Sequence, residues 1–167
     1  KKINKIKFNN DIKYYIGNFG TFDKQMDYIK YQELKTKFNF VHYGINDFDN
    51  NDVDGYITDM KKLDNEIDKC KFLVIFGVDD YSRLNRKVFY FLETEKPILY
   101  FGPKNNVTHR ILSSFKGVFF NLELEAIKSI SHQAIKYDRN INEFYYESIS
   151  KKLDEDNHIL SIISLGI

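Results

Sequence analysis

"KFLVIFGVDDYSRLNRKVFYFLETEKPILYFG", residues 71–102, sets one apolar run against another across a single helical stretch. Residues 71–78 are apolar almost throughout rather than alternating, the pattern of a strand buried on both faces. Leu84, Val88, Phe91 and Leu92 then recur at helical spacing, with Ser82 ahead of them as the expected N-cap. Lys96-Pro97 ends that helix, because proline drives the residue before it out of the helical region. "PILYFG" (97–102) follows as a second continuous apolar strand.

The same alternation runs outward in both directions. Upstream, "IKYYIGNF" (12–19) and "FNFVHYGI" (38–45) read as strands. Between them "TFDKQMDYIKYQELKTKF" reads as a helix capped by Thr21, with Phe22, Met26 and Ile29 on one face. Met60, Leu63, Ile67 and Cys70 mark the helix before residue 71. Downstream, Val107, Ile111 and Phe115 give a short helix and "GVFFN" (117–121) a last strand; residues 123–137 and 140–153 give two more helices. Non-alternating strands separated by helices imply a doubly wound, mostly parallel sheet with helices on both faces, the Rossmann-like α/β class. No linker, composition shift or repeat divides residues 1–167, so a single domain is expected.

Composition bounds the chemistry. Net charge is +1, so no global field calls for nucleic acid or an anionic membrane, and any anion site must be local. Cys70 is the only cysteine, which excludes a disulfide framework, and His42, His109, His132 and His158 lack metal-ligand spacing. No apolar run approaches the ~18 residues of a membrane span and no signal peptide is seen, so a cytoplasmic location is expected.

A doubly wound sheet binds ligands at the carboxyl ends of its strands. The loops to weigh are therefore "GNFGTFDK", "YGINDFDN", "GVDDYSR" and "GPKNN". Arg83, Lys87 and Tyr90 lie at i, i+4 and i+7 of the expected helix, with Arg86 beside them. Cations at a helix N-terminus oppose its dipole by about 0.3–1 kcal/mol each unless an anion reverses the sign. Either a ligand supplies that anion or Asp79 and Asp80 do, and spacing leaves both open. Gly17 and Gly20 would let backbone approach a phosphate with Lys24 one turn on, although the dinucleotide fingerprint needs a third glycine.

Taken in order, these loops resemble the carboxy-terminal, donor-binding domain of GT-B fold glycosyltransferases that build bacterial surface polysaccharides. "YYIGNFGTFDKQMDYI" resembles the family's glycine turn and following Lys, placed here at Lys24. "FNFVHYGI" is similar to its hydrophobic-His-aromatic-Gly strand end, and "NRKVFYFLETEKPILYFGP" keeps Lys87, Phe91, Leu92 and Lys96-Pro97-Ile98. The sequence departs from the family where Tyr90 stands for a ribose-binding Glu, Glu95 for a Gly, and Asn18 or Phe19 for an Arg.

The resemblance implies that Gly17, Asn18, Gly20, Lys24, Ser82, Arg83, Arg86 and Lys87 bind the diphosphate of a nucleotide sugar. Gly44, Ile45 and Tyr90 would meet base and ribose. It implies transfer without metal or other cofactor, since cations and N–H groups can stabilise the leaving diphosphate. It also implies a glycan or lipid-linked acceptor held by an amino-terminal domain, and peripheral association of the parent enzyme with the inner face of the membrane. The chain alone would then bind donor weakly and transfer nothing. The competing class is a non-catalytic Rossmann-like nucleotide-binding or interaction module.

Other signals are weaker. "NNDVDGYITDMK" (50–61) mimics a calcium loop, but Lys61 stands where a bidentate Glu belongs, so a solvated acidic loop is expected. Asp79-Asp80 lacks the companions of a phospho-acceptor site. His109 and Arg110 read as solvent-facing or as donor-sugar contacts. Phe144, Tyr145 and Ile149 read as a face for another domain.

Overall fold

The computed structural model describes residues 13–94 and 96–130. Five strands form one all-parallel sheet: β1 (Tyr14–Phe19), β2 (Phe40–Tyr43), β3 (Cys70–Phe76), β4 (Ile98–Phe101) and β5 (Val118–Phe120), in the order β2-β1-β3-β4-β5. Helices α1 (Tyr28–Lys37), α2 (Met60–Asp68), α3 (Lys87–Glu93) and α4 (Val107–Leu112) connect them, and α5 (Leu124–Ser129) follows. This is a Rossmann-like α/β fold. The chain leaves β1 to one side for β2 and returns on the other side as β3, so the topological switch point lies between β1 and β3.

Side-chain parity explains the two-sided burial. Ile16, Phe72, Val74, Phe76, Leu99 and Phe101 pack with Tyr31 and Leu34 of α1 and Ile127 of α5. Leu73, Ile75, Ile98 and Tyr100 alternate with them and are equally buried, as are Val88, Phe91 and Leu92 of α3. Phe19 meets Phe91 edge-on at 6.4 Å, which sets α3 over the Phe19 face. Each fully buried side chain of this size contributes about 1.5–3 kcal/mol.

Several expected boundaries move. The first helix begins at Tyr28, capped by Asp27 and not Thr21; Tyr31 and Leu34 face the core while Ile29 is 75% exposed. Phe22 is fully buried, but from a segment bridged to Asn46 beside β2. Met60 is exposed, and Cys70 opens β3 instead of closing α2. The central helix starts at Lys87, and Ser82 does not cap it: the Ser82 hydroxyl donates to Asp80, and the Asn85 side chain accepts the Lys87 N–H. Among the described residues no helix is long and apolar enough to cross a membrane. The helix expected over 123–137 appears as α5, which ends at Ser129 with Ile130 extended; residues 131–137 and the helix expected over 140–153, with Phe144, Tyr145 and Ile149, lie outside the described residues.

Candidate functional site

The exits of β1 and β2 stay hydrogen-bonded beyond the strands themselves. Gly20 N–H donates to Tyr43 O at 2.8 Å, Phe22 N–H to Ile45 O at 2.7 Å, and Asp47 N–H back to Phe22 O at 2.9 Å. Gly44 makes this approach possible: its φ is +146°, and a Cβ there would sit 2.1 Å from Gly20 O. Buried His42 braces the same contact, with Nε2 2.9 Å from Gly20 O and Nδ1 2.9 Å from the Tyr31 hydroxyl. Burial lowers its pKa to about 4, so the ring is neutral. A carbonyl only accepts, hence Nε2 carries the proton and Nδ1 accepts from Tyr31.

A cavity of about 250 Å³ opens at this end of the sheet. Phe19, Gly20 and Thr21 supply one wall, Tyr43, Gly44 and Ile45 the next, and Tyr56, Ile57 and Leu63 a third. Lys87, Tyr90 and Phe91 of α3 close it. Lys87 is half-buried as a residue, yet its ammonium is enclosed and donates to Asn18 Oδ1 and Phe19 O, both at 3.1 Å. No carboxylate pairs with it among the described residues. Burial alone lowers its pKa to about 8. Asn18 is fully buried and its Nδ2 has no hydrogen-bond partner.

The phenols of the wall are held from behind. Tyr90 donates to Asp64 of α2, and Tyr43 to Glu66 at 3.4 Å, while Lys69 pairs with Glu66 at 2.6 Å. Burial first, and the neighbouring carboxylate next, raise both phenol pKa values, that of Tyr43 to about 12. Tyr90 thus faces the cavity with its hydroxyl already engaged.

Of the residues singled out in the sequence, Gly20, Gly44, Ile45, Lys87 and Tyr90 line this cavity, and Asn18 touches it through Lys87. The others lie elsewhere. Gly17 sits inside β1, paired with Val41 and Leu73, where a Cβ would meet Cys70 Sγ at 2.5 Å; it serves packing and not a turn. Lys24 is exposed in the loop before α1, and Arg86 is exposed just ahead of α3. Arg83 precedes the helix and pairs with Asp23 at 3.0 Å. The expected row of cations along one helix face is therefore broken, and Lys87 alone enters the cavity.

Sequence reasoning missed Phe19, Tyr43, Tyr56, Ile57 and Leu63 as lining, and Asp23 and Asp64 as partners. Tyr56 arrives because Gly55 bridges Tyr43, the last residue of β2. The acidic loop is consumed internally: Asp52 pairs with Lys35, and Asp54 accepts His42 N–H at 2.7 Å. Among the described residues no His, Cys, Asp and Glu side chains gather as a metal site. His109 lies half-buried between the rings of Tyr100 and Phe120, outside the cavity, and Arg110 is exposed. No protein-family model, curated protein or solved structure matches the chain.

Proposed function

We propose that this domain binds the donor of a glycosyltransferase, a nucleotide sugar, with Lys87 taking phosphate charge and the aromatic and aliphatic walls taking the flatter, less polar part. One observation carries the reading: an ammonium without a carboxylate partner is enclosed in a largely apolar cavity at the carboxyl ends of parallel strands. Phosphate contact restores the charge balance there, and a charge-assisted hydrogen bond is worth about 1.5–3 kcal/mol. The cavity encloses part of a nucleotide sugar, so the remainder of the donor and the glycan or lipid-linked acceptor belong to a second domain of a cytoplasmic parent enzyme, at the inner face of the membrane. This chain by itself transfers no sugar.

The competing reading, a nucleotide-binding or interaction module without catalysis, gains from Tyr90, whose hydroxyl is committed to Asp64 and so is withdrawn from ribose. Calorimetric titration with uridine and guanosine diphosphates, repeated on Lys87→Ala, separates the two. Saturable binding that the substitution abolishes supports the donor site; no binding of any nucleotide favours the interaction module. Sugar transfer by the chain alone would overturn the half-enzyme reading.

A further inference from the structure

The cavity is flanked by two loops, and one ion pair ties them together. Asp23 follows Gly20 by three residues; Arg83 precedes Lys87 by four. Asp23 Oδ2 accepts from Arg83 Nη1 at 3.0 Å, and Asp23 Oδ1 accepts Gln25 N–H at 2.8 Å. The carboxylate is thus fixed by its own turn before it meets the guanidinium, and these contacts hold its pKa below the ordinary aspartate value. The Arg83 backbone is tethered too, its N–H donating to Asp80 O at 3.3 Å.

We propose that Asp23 sets how many phosphates the pocket neutralises: by holding Arg83 it leaves Lys87 as the single available cation, which suits a donor linked through one phosphate over a diphosphate. The inference rests on the nucleotide-sugar reading above and narrows its ligand class. The charge distribution supports it. Lys24 and Arg86, the other cations of these loops, are exposed and do not line the cavity. Asp64 and Glu66 of α2 are engaged by Tyr90, by Tyr43 and by Lys69, and neither pairs with Lys87 or Arg83. The cavity's volume of about 250 Å³ lies below the ~300–1,000 Å³ common for drug-sized ligands, so the room beside Lys87 is small. A diphosphate would bring a second charge to a site whose second cation is already paired.

The test compares mono- and diphosphates of uridine and guanosine by calorimetry on the full chain and on Asp23→Asn, Arg83→Ala and the double variant, each checked for folding by thermal melts. Asparagine keeps an acceptor for Gln25 N–H and removes the charge. The unsubstituted chain is expected to bind monophosphate at least as tightly as diphosphate. Asp23→Asn should raise the diphosphate-to-monophosphate affinity ratio about two- to fivefold, the scale of a freed exposed cation. Adding Arg83→Ala should return the ratio to its starting value. A tenfold preference for diphosphate that Arg83→Ala abolishes, or a ratio that Asp23→Asn leaves unmoved, overturns the inference. If no nucleotide binds, or binding survives Lys87→Ala, the donor-site reading itself fails and this inference falls with it. Lys87-dependent binding with an unmoved ratio defeats the inference alone.

Discussion

Replacing Lys87 with methionine removes an ammonium enclosed between β1 and α3 while keeping most of the side chain's volume. Two opposing quantities decide the effect on stability. Burial lowers the Lys87 pKa from 10.5 to about 8, so holding the charge at neutral pH costs roughly 3 kcal/mol relative to water. Against that, Asn18 Oδ1 and Phe19 O each lose a donor at 3.1 Å, and each unpaired acceptor costs about 1–3 kcal/mol. The terms nearly cancel, so Lys87→Met should lie within about 2 kcal/mol of the parent chain in urea unfolding at pH 7. Nucleotide affinity has no such compensation and should fall roughly 10- to 150-fold. A pH signature accompanies this. Between pH 8 and 10.5 the folded amine has released its proton while the unfolded one retains it, so parental stability rises through that window. The variant should lack this rise. A variant destabilised by more than about 3 kcal/mol that binds nucleotide as before would make Lys87 a structural bracket and refute the reasoning.

Three further outcomes follow from the same geometry. His42, held neutral by burial with its pKa at about 4, refuses a proton that the unfolded chain accepts below 6.5. Stability should therefore fall by roughly 3 kcal/mol as pH drops from 6.5 to 4. Nitrogen NMR of the ring should still show the neutral form at pH 5.5, and titration near 6.5 would contradict the buried brace. Gly44→Ala forces a Cβ against Gly20 O at a φ of +146° and should cost about 3 kcal/mol or more, read as a melting temperature lowered by about 10 °C. Millimolar calcium should leave the melting temperature within about 1 °C, because Asp52 and Asp54 are already engaged by Lys35 and the His42 backbone.

The sheet was legible because burial on both faces writes itself as unbroken apolar runs. "KFLVIF" needs no partner to be recognised, and β3 spans Cys70–Phe76. Helix starts were less legible, because several polar residues could serve equally as caps. Ser82 has the right chemistry, but Asp80 captures its hydroxyl, the helix opens at Arg86 with no side-chain cap, and Asn85 accepts the Lys87 N–H from outside it. Phe22 belongs to the core as expected, yet through an extended segment bridged to Asn46, which no helical periodicity could reveal. Lys87 stood out because helical spacing set it on one face with Arg83 and Tyr90 near a helix start, and Gly44 because the resemblance placed it beside the base. Asp23–Arg83, separated by 60 positions, and Tyr56, delivered by a single bridge, depend on contacts that only the folded chain creates.

The arrangement separates charge across one wall. Asp64 and Glu66 of α2 do not line the cavity; each accepts from a phenol that does. Tyr90 and Tyr43 thus act as neutral spacers: they line the cavity with rings and turn their hydroxyls to the carboxylates behind. Lys69 answers the remaining charge of Glu66 from the far side. On the opposite wall, β1 offers Lys87 only an amide oxygen and a carbonyl oxygen, which orient an ammonium without neutralising it. The enclosed ammonium of Lys87, with no carboxylate pairing it among the described residues, is the physical feature on which the proposed anion site rests.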